Sequence, residues 1–191
     1  MGQTMMTPGA DKPSKRSLIE GRVLVERLTA RGRVVETRHV VNTVMRSGAE
    51  LVAALFRGES TTPVDGMAVG VDASPATAPY EISRLRTTAP DGTTLLDRPA
   101  VALAADALRT EVLTGEMKVR VSVRGVLPPD RAVSPDDGVD RVEVAEAALG
   151  VLASDGTSLE RIYNRVTFEP LPKRRDEELA FYWEVDFPYG A

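Results

Sequence analysis

The sequence predicts a mainly β fold, an antiparallel sandwich or open barrel with one amphipathic helix packed on the sheet. Three observations predict it: segments in which apolar and polar residues alternate, short turn-forming clusters between them, and one stretch whose apolar residues recur at helical spacing. No repeat of fixed period and no alternating strand–helix rhythm competes with this reading.

The first alternating stretch is a hairpin. Val23 and Val25 face one way, Leu24, Glu26 and Leu28 the other. Ala30-Arg31-Gly32 forms the turn, and Arg33 to Val41 returns antiparallel. The period then changes. Asn42 is an N-cap residue, Val44, Gly48, Leu51, Val52, Leu55 and Phe56 share a helical face, and Gly58 is placed to stop the helix, so residues 43–57 are helical. That single apolar stripe requires a sheet to lie on.

From Ser60 to Pro99 the chain is loop-rich, including Ala73 to Pro79 and Ala89 to Gly92, apart from a short buried strand at Met67 to Val71. Val101 to Leu103 and Glu111 to Leu113 flank an alanine-rich piece that pattern alone does not assign. Beyond it, Met117, Val119, Val121 and Val123 alternate with Lys118, Arg120, Ser122 and Arg124 in a strand with one buried face. Pro128 to Asp140 is an acidic loop, and Val142 to Ala153 is an apolar strand ending at the Asp155-Gly156 turn. Ile162 to Phe168 is a strand followed by a turn over Pro170 to Asp176. The last strand, Glu178 to Phe187, puts Leu179, Phe181, Trp183, Val185 and Phe187 on one face and Ala180, Tyr182, Glu184 and Asp186 on the other. The expectation is about seven strands in one domain, residues 18–187, with a flexible arm at 1–17 and a short tail at 188–191.

Composition narrows function. A net charge of −4 argues against wholesale nucleic-acid binding, and aromatics at 5% leave little for a base- or sugar-stacking platform. There is no cysteine, hence no disulfide, thiolate chemistry or sulfur-bound zinc. No apolar run is long enough to span a bilayer, the polar N-terminus lacks a signal-peptide core, and Met6 stands where a myristoylation signal has Ser or Thr. The expected setting is therefore the cytoplasm, without membrane insertion.

No catalytic, cofactor or metal constellation emerges. His39, the single histidine, reads as an exposed or edge-strand residue. Asp136-Asp137-Gly138-Val139-Asp140 lacks the spacing and terminal glutamate of a calcium loop. Gly66-Met-Ala-Val-Gly70 lacks the Gly-Lys-Ser/Thr of a phosphate cradle. Nothing among the 28 acidic residues singles out a hydrolytic pair. Lys173-Arg174-Arg175, followed at once by Asp176-Glu177-Glu178, reads as a turn or as half of a subunit salt-bridge set. Phe181 and Trp183 belong to the core, leaving Tyr182 and Tyr189 as interface anchors.

The order of the pieces adds a resemblance. The helix Asn42 to Gly58 is followed by Met67-Ala-Val-Gly70, Ala73-Ser-Pro-Ala-Thr-Ala-Pro79 and Leu85-Arg-Thr-Thr88. Then come Glu146-Ala-Ala-Leu149-Gly-Val151, Asp155-Gly156, Tyr163-Asn-Arg165-Val, Phe168-Glu-Pro170-Leu-Pro-Lys173 and Phe181-Tyr-Trp183-Glu-Val-Asp-Phe187. This series, over roughly residues 40 to 187, resembles the small tail, baseplate and fibre-attachment proteins of phages and of phage-tail-like contractile injection systems. The resemblance implies a non-enzymatic structural subunit that assembles with other tail or baseplate subunits, as a homo- or hetero-oligomer, and ends in the tail of a virion or tail-like particle. The alternative from the residues alone is a stand-alone β-sandwich module binding a glycan or protein, with a carboxylate-based hydrolase a distant third.

Overall fold

A computed structural model describes residues 19–59, 62–73 and 79–190. The predicted arm at 1–17 and the final Ala191 lie outside the described residues. Among the described residues, ten strands and one α-helix follow one another as β1 (Glu20–Leu28), β2 (Val34–Val41), β3 (Thr43–Val44), α1 (Arg46–Phe56), β4 (Gly66–Gly70), β5 (Ala100–Ala102), β6 (Leu108–Leu113), β7 (Lys118–Leu127), β8 (Arg141–Leu152), β9 (Leu159–Arg174) and β10 (Glu178–Pro188). They form two antiparallel five-stranded sheets, β2-β1-β10-β7-β6 and β3-β9-β8-β4-β5, packed as a sandwich. The mainly β class with one packed helix is thus what the alternation predicted, and the sandwich is the form it takes.

The two sheets differ in how many faces they cover, and their sequences differ accordingly. The first sheet buries one face only. Hence β10 alternates: Leu179, Phe181 and Trp183 are wholly buried, Val185 nearly so, while Tyr182 and Glu184 reach the outer side. The second sheet is covered on both sides. Its inner face meets the first sheet, and Met45, Ile82 and Leu85 pack with Ala148 and Ile162 on its outer face. Ala145, Ala147, Ala148 and Leu149 of β8 are therefore all buried, and the strand reads as one apolar run.

Helix α1 starts later than its sequence signals suggested. Thr43 and Val44 pair with Arg165 and Asn164 of β9, so the ladder claims residues expected in the first turn. Met45, not Asn42, is the N-cap residue. The start is held by the Met45 N–H donating to the Tyr163 carbonyl (2.9 Å) and the Ser47 hydroxyl donating to the Ile162 carbonyl. Gly48 lets this end sit directly on the Tyr163 backbone, which an added Cβ would overlap. At the other end Gly58 adopts φ +68°, its N–H bonds Leu55 O (3.1 Å), and the Glu59 N–H reaches back to Ala54 O (3.0 Å). This paired closure satisfies the carbonyls of the last turn. The apolar stripe is only half used, since Gly48 and Leu51 are buried whereas Leu55 and Phe56 are exposed.

Strand β9 also overrides its punctuation. The expected turn over Pro170 to Asp176 is confined to Arg175 and Asp176, and the strand continues through both prolines to Arg174. Pro170 falls in a bulge, where Val144 pairs with Leu171 and Glu146 with Thr167, leaving Ala145 opposite three residues. A missing N–H costs nothing there. Pro172 lies on a stretch where β9 has β8 on one side and no further hydrogen-bonded strand on the other. Three strands escaped the sequence: β3, β5 and β6. Met117, expected to open β7, adopts a left-handed conformation (φ 51°) and turns outward. The tail is partly tied down, because Pro188 ends β10 and the Tyr189 N–H donates to the Met117 carbonyl (2.9 Å).

A dry ion pair stands on the outer face of the second sheet. Both Nε and Nη2 of Arg165 reach Oε2 of Glu146, at 2.7 and 2.6 Å, and Glu146 Oε1 accepts the Arg86 N–H at 2.6 Å. Arg165 also donates to the Asp72 carbonyl. Gly70 makes room, since a Cβ there would strike the carboxylate. The pair ties loop residues Asp72 and Arg86 to strands β8 and β9.

Candidate assembly interface

The outer face of the first sheet carries the polar residues of the alternation, and they satisfy one another. Arg120 clamps Asp186 through two bonds of 2.7 and 3.0 Å, and Lys118 bridges Asp186 (2.7 Å) and Glu116 (2.6 Å). Arg22 and Arg120 flank Glu184 at 3.5 and 3.4 Å. The Arg120 guanidinium, with help from Lys118, holds the Asp186 carboxyl down at about 2, against the opposing effect of burial. Tyr182 lies half-buried on this face with the Arg124 guanidinium 5.9 Å from its ring centroid.

The edges of the same sheet are open. Among the described residues, strands β2 and β6 each have a partner on one side only, so eight and six residues of strand form its two edges. Both edges carry exposed apolar side chains: Val34, Val35 and Val41 on β2, Leu108 and Val112 on β6. Edges of this length and polarity invite another chain. His39 lies exposed on β2, opposite Leu24.

The basic run nominated as an interface is used within the subunit. Lys173 is 1% exposed, not a surface anchor: its ammonium donates to the carbonyls of Pro129 (3.1 Å) and Arg174 (3.4 Å). Burial lowers it to about 8, and Glu177 and Asp130 only partly oppose that. Arg175 donates to the carbonyls of Ser134 (2.7 Å) and Asp136 (3.0 Å) and pairs with Asp137 at 3.2 Å, while Arg174 stands 3.8 Å from Asp140. The acidic loop and the basic run are thus halves of one internal clasp. Glu177 completes it, accepting the Arg174 N–H (2.9 Å) and pairing with Arg27 (2.8 Å). Tyr189, the other proposed anchor, is 41% exposed just after β10.

The buried lysine has a measurable signature. With its folded pKa near 8 and an unfolded value of about 10.4, the unfolded chain binds more protons between those limits, so stability from this group rises with pH across that window and is lost as pH falls through 8. Lys173→Met is expected to remove a rise on the order of 2 kcal/mol, visible as the difference between wild-type and variant urea midpoints at pH 7.5 and about 10. Parallel pH curves for the two proteins would contradict the assignment.

Sequence reasoning missed an apolar mouth between the sheets. In register across the inner face of the first sheet, Phe187 of β10 faces Val119 of β7, which faces Val112 of β6. Phe187 and Val119 are half-buried and Val112 is 60% exposed. Behind this row a cleft of about 180 Å³ is lined by Val52, Val64, Leu108, Val121, Tyr163 and Phe187, among other apolar residues. Phe56, on the turn of α1 after Val52, is 89% exposed. The only sequence signal was the breadth of the helix stripe, which outruns the sheet beneath it.

A second concavity of about 670 Å³ lies over the outer face of the second sheet, lined by Arg84, Arg98, Thr87, Thr157, Ser158 and Glu160 among others. Arg98 holds φ 45° there and pairs with Asp97 and Asp130. Among the described residues no cluster of three His, Asp or Glu side chains is arranged to hold a metal, and no helix is long and apolar enough to cross a membrane. No protein-family model, curated protein or solved structure matches the chain.

Proposed function

We propose that the chain is a structural subunit of a phage tail or a phage-tail-like injection particle, acting through contacts with other tail or baseplate subunits and not through catalysis. The observation that carries this reading is the pair of open edges on the first sheet, β2 and β6, each bearing exposed valines or leucine beside an otherwise self-satisfied polar face. Such edges are a hazard for a free monomer and an asset for a subunit that is covered on assembly. The tail context comes from the ordered series of sequence motifs between residues 40 and 187. The subunit is made in the host cytoplasm and ends in the particle. Light scattering of the full chain, alone and mixed with proteins encoded beside it, is expected to give a discrete higher-order species. A monomer with every neighbour overturns the reading.

A second reading, a module binding a glycan or protein ligand, is favoured by the concavity around Arg84, Arg98 and Glu160. A glycan-array signal abolished by Glu160→Gln supports it, and silence on the array removes its glycan form.

A further inference from the structure

We propose that β6 is a self-pairing edge: β6 of one chain joins β6 of a second copy, antiparallel, about a two-fold axis at Thr110. The proposal rests on the reading of the sheet edges as contact surfaces and names the occupant of one of them.

The observation that carries it is that β6 is complementary to itself. Laid against its own reverse about Thr110, the run Leu108-Arg-Thr-Glu-Val112 sets Leu108 opposite Val112, Arg109 opposite Glu111 and Thr110 opposite itself. A two-fold contact demands this, since the patch offered to the partner is also the patch the partner offers. The faces agree as well. Leu108 and Val112 stand across from Val123 and Val119 on the inner side of the first sheet, whereas Arg109 and Glu111 stand across from Ser122 and Arg120 on the outer side. A two-fold axis normal to the sheet preserves both faces. Apolar side chains therefore meet inside, and cation meets anion outside.

The backbone is set for the same register. The Ala107 carbonyl accepts the Arg124 N–H (2.9 Å). Backbone groups turn to alternate sides along a strand, so Arg109 and Glu111 also face β7, while Leu108, Thr110 and Val112 present N–H and C=O at the open edge. These are the residues that the two-fold brings together, Thr110 with its copy and Leu108 with Val112 in both directions. Such antiparallel pairs exchange two hydrogen bonds each.

Arg109 and Glu111 are also charges left over within the subunit. Both are exposed, and neither has an ion-pair partner among the described residues. Arg120, across from Glu111, is held by Asp186 and Glu184. The other edge differs. β2 offers a similar pair, Glu36 and Arg38 about Thr37, but these already bind each other, and Arg27 binds Glu36. Pairing through β2 gains no new charge contact. β6 also borders the apolar mouth: Leu108 lines the cleft, and Val112, 60% exposed, ends the row in front of it. A second copy on β6 covers both side chains, joins two five-stranded sheets into one, and leaves β2 for a different subunit.

Sedimentation velocity of the full chain, in a dilution series reaching about 100 μM, is expected to show a monomer–dimer equilibrium. Arg109→Glu sets glutamate against glutamate twice in each dimer and is expected to weaken dimerisation at least about tenfold, as Glu111→Arg does with arginines. Arg109→Glu combined with Glu111→Arg is expected to restore it, which a merely damaged edge would not do. Thr37→Asp on β2 is expected to change nothing, and circular dichroism checks that every variant folds. Failure of the double exchange to recover the dimer overturns the proposal. So does loss of the dimer in Thr37→Asp, or a series of species growing beyond the dimer, as head-to-tail contact between β6 and β2 would give. A chain that is monomeric alone yet forms a discrete complex with a neighbouring protein sinks the self-pairing and leaves the assembly reading standing. A β6 dimer that binds no neighbour upholds the self-pairing and removes the tail or baseplate partners.

Discussion

Arg165→Met is expected to lower the unfolding free energy by about 3–5 kcal/mol at pH 7, because it leaves Glu146 charged and buried without its counter-ion. Glu146 is 1% exposed and would keep only neutral partners, among them the Arg86 N–H. Burial already pushes its carboxyl above the ordinary carboxylate range despite the Arg86 N–H and the Arg165 guanidinium, and loss of the guanidinium drives it higher. A carboxyl raised in the folded state favours folding fully below its unfolded pKa of about 4.3, and that contribution is lost as pH rises through the folded value. The defect of Arg165→Met should therefore shrink between pH 7 and about pH 5, as the folded variant takes up the proton. Glu146→Gln added to Arg165→Met should recover much of the loss at pH 7 and flatten its pH dependence, since no unpaired charge then remains. Urea unfolding followed by circular dichroism at both pH values measures all three effects. A single variant within about 1 kcal/mol of wild type would mean that water reaches the pair.

The consequence extends past stability. Arg165 and Glu146 fix Asp72 and Arg86, and Arg86 ends the described segment 79–86, whose Ile82 and Leu85 pack on the outer face of the second sheet. Loosening that segment should disturb the Arg84–Arg98 concavity while leaving the β2 and β6 edges of the other sheet in place. Assembly retained by a destabilised Arg165→Met subunit would accordingly favour the edges over the concavity as the contact surface.

What the sequence made legible follows from how many faces each strand buries. Alternation disclosed β1, β7 and β10 because their sheet has one wet side, and an apolar run disclosed β8 because both its sides are dry. β3 and β5 are two and three residues long, too short for any period to register. β6 does alternate, with Leu108, Thr110 and Val112 sharing a face, but it is an edge strand whose side chains are mostly exposed, so burial left little mark. Two punctuation marks were read correctly as residue chemistry and wrongly as structure. Asn42 suits an N-cap but is placed against Gly21 by strand pairing, and Pro170 suits a turn but falls in a bulge. The internal clasp was hidden for a different reason. Its basic half at 173–175 and its acidic half at 136–140 are brought together by the β8–β9 hairpin, and no spacing rule links residues that far apart.

Trp183→Ala carries the other large expected effect, about 3–5 kcal/mol, from the cavity that a truncated indole leaves at the centre of the sandwich. Trp183 is wholly buried and stacked on Phe181, with ring centroids 5.3 Å apart and planes 19° from parallel. The two sheets interlock at this point: Met67 of β4 projects toward Gly125 of β7, where an added Cβ would lie 2.5 Å from its sulfur and 3.4 Å from the indole. The site cannot collapse easily, because both neighbours are themselves fully packed core residues. Trp183→Phe should behave quite differently, at about 1–2 kcal/mol. The indole N–H has no acceptor, so phenylalanine gives up volume and also sheds a buried, unsatisfied donor. Far-UV circular dichroism is the suitable probe, since this is the sole tryptophan and both variants erase its fluorescence. A wide gap between the two variants ties the stability of the sandwich to the shape of the ring at position 183; equal losses would mean that the N–H is bonded after all and that the polar contact, not the packing, holds the sheets together.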